Sequence, residues 1–437
     1  MFPSDFLSDI PPFIAGMEPQ EAPGRHDAHN VALLRMARRH APIESVDMAR
    51  IEMSTALLYW GYRPELWKIV GFTSSAAERL YAASPVAHPI VEVMQTPVVV
   101  RRQFLGISER DIIARHAFMR YLTEQGLPVP SLLNRPDGSA YAMAPIVPLT
   151  DPQQANGFTY VLEDVIYEAQ SYIPGRRFVT DGPAEDTYLT AAAQTLAQLH
   201  RASFDYPGPA YAWPDERGAP AVAQVYLARI ADSSHARRLA RPIATGLRRF
   251  AREGSRWVSD AARRLEKHTT LPRLHIHGDY QPHNLAFEAD HVCAIYDFDA
   301  MHWEWRLMEL AYALFTFTGL RWEDDAALPT PAPTPPLVTY GLDSDRAKAF
   351  LAAYGQIAPP HPGEAELLGD ALLVTLPVIF ANAVAEDIIV ADGEEPVIHT
   401  PRECREHLEW AETFPAWVEE NRAFLRDAWT QRANDQG

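Results

Sequence analysis

Residues 274–315, LHIHGDYQPHNLAFEADHVCAIYDFDAMHWEWRLMELAYALF, constrain this chain more than any other segment. They read strand, tight loop, strand, loop, helix. Leu274 and Ile276 alternate into a short strand, Gly278 permits a sharp bend, and Asp279 emerges in the loop with Asn284 five positions later. CAIYDF forms a second strand ending at Asp297, and a short hairpin puts Asp279, Asn284 and Asp297 at one mouth. Two carboxylates and an amide make an oxygen-only site. Such a site suits the hard cation Mg²⁺ and its phosphate ligands better than a softer metal.

Around this segment the chain runs strands first and helices later. WKIVGF, ERLYAAS, PIVEVMQ and TPVVVRRQFL are short stretches rich in residues that pack on a pleated surface. SERDIIARHAFMRYLTE follows with helical spacing before Gly126, FTYVLEDVIYEAQSYIPG adds two extended stretches, and beyond Pro183 nearly every periodic segment is helical. That order predicts an α+β chain with an antiparallel-sheet N-terminal lobe carrying one helix and a larger, mostly helical C-terminal lobe. With 437 residues against about 150 per domain, two lobes plus extensions fit. The expected boundaries are an arm over 1–45, opening into a helix near 45–62, a nucleotide-binding lobe over 46–170, and a helical lobe over 171–437. The run LPTPAPTPPL at 328–337 cannot continue a helix and is read as an insertion.

Phosphoryl-transfer sites of the kinase type use a loop Asp to orient and deprotonate the acceptor hydroxyl, a later Asn to hold one metal ion, and the Asp of a following D-F-x turn to hold another. Asp279, Asn284 and Asp297 have that spacing. HGDYQPHN followed by IYDFD and the helix RLMELAYAL resembles the aminoglycoside phosphotransferase and choline kinase-like superfamily, with GLPVPSLL, SYIPGRRF and LAQLHRA in supporting positions over residues 50–425. The resemblance implies a protein-kinase-like two-lobed fold and a small-molecule kinase. It implies ATP and Mg²⁺ as cofactors, with Asp279 as base and Asn284 and Asp297 at the metal.

Of the nucleotide-binding residues, the resemblance points to Arg101 in VVVRRQF as the cation on the phosphates, where these kinases carry Lys, with Arg102 on the opposite face. The helix position for the partnering Glu holds Arg115, so Glu109, Asp111 or another arrangement must replace it. The loop GFTSSAAERL is short of glycine, and a plain hairpin is the alternative to a phosphate loop there. The hinge over 167–173 is expected to offer backbone groups to adenine, centred on Glu168, Ala169 and Gln170. Two rival readings remain open. His275, His277 and Asp279 also spell HxHxD, a zinc-hydrolase pattern, and Arg115 is consistent with a catalytically inactive kinase-fold binding protein.

The sequence carries 57 acidic and 39 basic side chains, a formal charge of -18, which disfavours nucleic acid and membrane surfaces as partners. Two cysteines, Cys293 and Cys404, are too few for a disulfide framework, and no leader or membrane-spanning run stands out, so a cytoplasmic protein is expected. No A-P-E platform follows Asp297, which favours a small acceptor over a protein. Residues 364–435 hold 16 acids and five bases. In kinases of the resembling group this region lines the acceptor site, so Glu386 and Asp387 are the expected acceptor contacts and the acceptor is expected to be cationic; a solvated surface is the alternative. Trp303 and Trp305 offer faces for a sugar or cation, or else pack in the core. Arg306 and Glu309 at the start of the helix that follows Asp297 are expected to pair, or to face solvent.

Overall fold

The computed structural model describes residues 67–74, 79–85, 98–102, 109–134, 138–145, 164–171, 173, 175–210, 218–232, 241–322, 337–338, 341–389 and 401–431. Five strands, β1 (Trp67–Ser74), β2 (Arg79–Pro85), β3 (Val98–Arg102), β4 (Tyr141–Pro145) and β5 (Asp164–Ser171), form one antiparallel sheet in the order β1-β2-β3-β5-β4. Its register sets Arg101 opposite Glu168 and Arg102 opposite Tyr167. Alternation therefore puts positions 101 and 102 on opposite faces, with 101 on the face of Glu168. The arm, the helix expected near 45–62, the strand expected at PIVEVMQ, residues 75–78 of the loop GFTSSAAERL and all but the last residue of the proline-rich run lie outside the described residues.

Helix α1 (Glu109–Glu124) follows β3. Glu109 and Asp111 sit in its first turn, where the macrodipole favours negative charge. Ile112, Arg115, His116, Phe118, Met119 and Leu122 form its buried face, and Gly126, with φ +81°, ends it in the left-handed region that glycine enters without steric cost.

Beyond the sheet come α2 (Glu185–Phe204), α3 (Ala219–Asp232) and α4 (Arg241–Glu266). Short strands follow: β6 (Arg273–Ile276), β7 (Leu285–Glu288), β8 (His291–Ile295) and β9 (His302–Trp305). Helix α5 (Arg306–Thr318) is apolar and buried on nearly every side, which makes it a core helix rather than a surface one. β10 (Leu320–Arg321) pairs with β11 (Leu337–Val338). Helices α6 (Ser344–Ile357), α7 (Leu368–Ile389), α8 (Pro401–Glu420) and α9 (Arg422–Thr430) complete the chain. Phe315 and Phe317 of α5 meet Phe414 and Phe350, each fully buried ring contributing about 1.5–3 kcal/mol. Among the described residues no helix is long and apolar enough to cross a membrane.

One expected pairing is corrected. The strand LHI does not pair with CAIYDF. β6 pairs with β9, setting His275 opposite Trp303, and β7 pairs with β8. The residues after Asn284 supply the nearest antiparallel neighbour for β8, with Ala289 in the left-handed region at the turn. Asp279 thus follows β6, Asn284 closes the 3-10 turn Pro282–Asn284 before β7, and Asp297 follows β8.

Candidate active site

The loop after β6 is anchored from beneath by α5. The Glu309 carboxylate accepts the backbone N–H of His277 at 3.1 Å and of Gly278 at 2.6 Å, and meets His200 Nε2 at 2.8 Å. Burial alone would raise the Glu309 carboxyl; the hydrogen bond and charge of His200 outweigh it and hold it below the ordinary value. His200 Nδ1 in turn meets the Tyr354 hydroxyl at 2.7 Å. Arg306 instead bonds Glu364, with Nε to Oε1 at 2.7 Å, so the expected Arg306–Glu309 pair does not form.

Gly278 has φ +84°, and a Cβ there would stand 1.9 Å from the Ala300 carbonyl oxygen. Only glycine permits that approach. It brings the Asp279 loop against the turn Phe298–Ala300 that follows Asp297.

The Asp279 carboxylate is nearly closed off, with 4% exposure. Oδ1 accepts Gln281 Nε2 at 2.9 Å and the Tyr312 hydroxyl at 2.7 Å; Oδ2 accepts Gln281 Nε2 at 3.0 Å and Asn284 Nδ2 at 2.8 Å. Asn284 Nδ2 also reaches the Asp279 carbonyl at 2.8 Å. Because its NH₂ is given to Asp279, the Asn284 amide oxygen is the atom left for a cation. The Tyr312 phenol is pushed well above its ordinary value, by burial first and then by the charges of Asp279 and, more weakly, Asp297.

Asp297 itself has φ 65° and ψ 66°, a left-handed conformation in a residue with a side chain. Its predecessor Tyr296 donates its hydroxyl to the Ile173 carbonyl at 2.6 Å and accepts the Ile173 N–H at 2.9 Å, fastening the segment after β5 to this turn. Phe298 is buried against His277 and Phe118 of α1.

The sheet side departs from expectation. Glu168, Ala169 and Gln170 lie inside β5, paired with β3 on one edge and with Tyr141 of β4 or Leu132 on the other. Their backbone is engaged in the sheet, and backbone leaves the sheet only after Ser171. The Glu168 side chain is buried and bonded: it accepts Arg115 Nη2 at 2.9 Å and meets His116 Nε2 at 2.9 Å. Arg115 Nη1 also donates to Asp299. Glu109 is exposed and bonds the Tyr141 hydroxyl at 3.2 Å. For Arg101 the structure describes the backbone only, opposite Glu168.

On the acceptor side, Glu386 and Asp387 lie in the last turn of α7, with side chains outside the described residues. Trp303 packs its ring on His275 at 5.2 Å, and Trp305 is already covered by the Arg273 guanidinium at 4.4 Å. His275 and His277 do not form a zinc site. His277 Nε2 meets the Tyr296 carbonyl at 2.7 Å and its Nδ1 accepts the Asp279 N–H, while His275 Nε2 meets the Pro209 carbonyl at 2.9 Å. Among the described residues no three His, Cys, Asp or Glu side chains gather to hold a metal.

Sequence reasoning missed Gln281, Tyr312 and Asp299 as members of this cluster. Gln281 stands between two motif residues, and Tyr312 lies one helical turn after Glu309, on the side of α5 that faces Asp279. Asp299 gives a signal only as the second acid of the DFD run.

Comparison with known proteins agrees with this fold. The chain's fold is similar to that of amicoumacin kinase solved with AMP-PNP and Ca²⁺ (TM-score 0.55, 13% identity, covering 85% of this chain and 93% of that one). It is similar to a microcompartment-associated aminopropanol kinase (0.53, 14%, 89% and 99%) and to choline kinase from Cryptosporidium parvum Iowa II (0.50, 10%, 92% and 99%). At these identities the likeness concerns the fold. No curated protein sequence matches the chain. The Phosphotransferase enzyme family, APH, matches residues 88–361, which take in β3, β4 and β5 of the sheet, α1 and the whole Asp279–Asn284–Asp297 segment. The chain belongs to this APH phosphotransferase family of small-molecule kinases, whose members use nucleotides.

Proposed function

We propose that the protein transfers the γ-phosphate of ATP to a hydroxyl of a small cationic acceptor, an amino sugar, an aminoglycoside-like compound or an amino alcohol. The observation that carries this reading is the Asp279 carboxylate, buried, held by Asn284 and Tyr312, and packed through Gly278 against the turn that bears Asp297. Asp279 takes the proton of the acceptor hydroxyl as its oxygen bonds to phosphorus and the bond to the β-phosphate oxygen breaks, releasing ADP. The Asn284 amide oxygen and the Asp297 carboxylate would hold Mg²⁺, which supplies charge neutralisation at the phosphates. Two protein oxygens without a closed cage suit a Mg²⁺ that keeps phosphate and water ligands.

Arg101, opposite Glu168, is assigned to the phosphates. Because the backbone of Glu168, Ala169 and Gln170 is engaged in the sheet, the base contact is assigned to the segment that follows Ser171. For the acceptor, the excess of acids over 364–435 draws a cation toward α7, with Glu386 and Asp387 as the first contacts. The aminopropanol and choline kinases of like fold are named for acceptors of this type. ATP and Mg²⁺ together suit work in the cytoplasm.

The test is ADP release with Mg²⁺ and ATP across amino sugars and amino alcohols, with the product identified by phosphorus NMR. Asp279→Asn is expected to lower turnover by about 10² to 10⁴-fold, the usual contribution of a general base, with nucleotide affinity retained. Nucleotide binding without turnover on any acceptor would instead favour an inactive binding protein.

A further inference from the structure

Helix α1 presents a cation where the family resemblance anticipates a carboxylate, and the structure shows what that cation does. Arg115 is 3% exposed and lies between two acids from distant parts of the chain. One arm of its guanidinium bonds Glu168 of β5, the strand position opposite Arg101; the other bonds Asp299, two residues beyond Asp297. One helical turn along, Phe118 packs on Phe298, the residue between Asp297 and Asp299. α1 therefore grips the turn by a charge and by a ring.

The turn needs gripping. A residue with a side chain in the left-handed region costs about 1–2 kcal/mol, and such conformations persist only where their surroundings over-determine them. Asp297 is in that region, at φ 65°. A buried ion pair is a weak source of stability in itself, but the rigid planar fork of Arg fixes direction as well as distance.

We propose that Arg115 is a positioning residue for the metal-holding turn. Fixed to the sheet by Glu168, it holds Asp299 and so keeps Asp297 in the left-handed conformation from which its carboxylate serves the cation. The Glu168 carboxylate, shared with His116, makes the sheet and the metal turn one unit. This rests on the reading that Asp297 holds the metal.

The test is calorimetric titration of the full-length protein with AMP-PNP over a series of Mg²⁺ concentrations, alongside AMP-PNP binding without metal and thermal unfolding. Asp299→Asn keeps the shape and removes the charge; Arg115→Lys keeps the charge and removes the fork; Arg115→Met removes both. All three are expected to weaken Mg²⁺ in the nucleotide complex by roughly 10- to 100-fold, the usual cost of losing an outer-shell partner of a metal ligand, with metal-free AMP-PNP affinity unchanged. The Arg115→Met/Asp299→Asn double variant is expected to be no worse than the poorer single one, as for two partners of one interaction. Unaltered Mg²⁺ dependence in any variant that still unfolds cooperatively above the assay temperature overturns the proposal. If Arg115→Met does not fold, Asp299→Asn and Arg115→Lys decide. Asp297→Ala separates the two levels: unchanged Mg²⁺ dependence there refutes the metal reading itself, whereas its loss beside unaffected Arg115 and Asp299 variants refutes only the tether.

Discussion

Replacing Tyr312 with Phe removes one hydroxyl and leaves the ring in place, so it isolates a single hydrogen bond on the candidate base. Four contacts reach the Asp279 carboxylate from Gln281, Asn284 and Tyr312, and the Tyr312 one is the shortest at 2.7 Å. Burial raises the proton affinity of Asp279, and the Tyr312 hydrogen bond opposes it. A hydrogen bond to a charged group contributes about 1.5–3 kcal/mol, and one pKa unit is about 1.4 kcal/mol. With Gln281 and Asn284 still donating, the loss falls at the low end, about 1.5 kcal/mol, and raises the Asp279 carboxyl. A base works in its ionised form, so the acid limb of the kcat/KM profile is expected to move to higher pH, with kcat/KM on that limb about tenfold lower than in the parent. The assay is the pH–rate profile of the parent and of Tyr312→Phe at saturating Mg²⁺. The Tyr312 phenol is itself held protonated by burial and by its acidic neighbours, so it adds no limb within that range. Superimposed acid limbs would refute the argument, because they would mean that Tyr312 does not tune the group whose proton is counted.

Gly278→Ala forces a Cβ into the Ala300 carbonyl and strains a backbone at φ +84°; kcat is expected to fall about 10²-fold or more, as misplacement by an ångström does, with a lower melting temperature. Glu309→Gln removes the charge that binds His200 and two loop N–H groups, and breaking a buried pair in this way costs about 3–5 kcal/mol, read by denaturant unfolding. Because the folded-state Glu309 value is depressed, its contribution is complete above the ordinary glutamate range and is lost as pH falls through the lowered folded value. The parent should therefore lose stability in acid by a component that Glu309→Gln lacks.

Helix α1 and the helix after Asp297 were legible because apolar spacing and terminal signals are local. The Asp279, Asn284 and Asp297 spacing was legible because the loop itself is short. Partners were not. Arg115 advertised that a helix carboxylate was missing, yet its partners lie 53 and 184 residues away, and only the β3–β5 register and the packing of the DFD turn bring them together. Local sequence points to the backbone of Glu168, whereas sheet pairing engages that backbone and the side chain turns to Arg115 and His116. β9 escaped notice because HWEW is a four-residue strand with no turn residues to bound it, and its pairing with β6 is set by tertiary contacts.

The crowding around Asp279 has a thermodynamic consequence for substrate choice. A carboxylate offers roughly four lone-pair directions, and Gln281, Asn284 and Tyr312 already occupy them in this protein. An arriving alcohol therefore performs an exchange in which one internal donor must withdraw, and the hydroxyl gains little net binding energy at the very group it reacts with. Under the function proposed above, discrimination among acceptors then falls to their remaining atoms, chiefly the positive charge for which the acidic C-terminal helices are proposed. Water faces the same exchange and brings no second foothold, which disfavours idle hydrolysis of ATP between productive encounters.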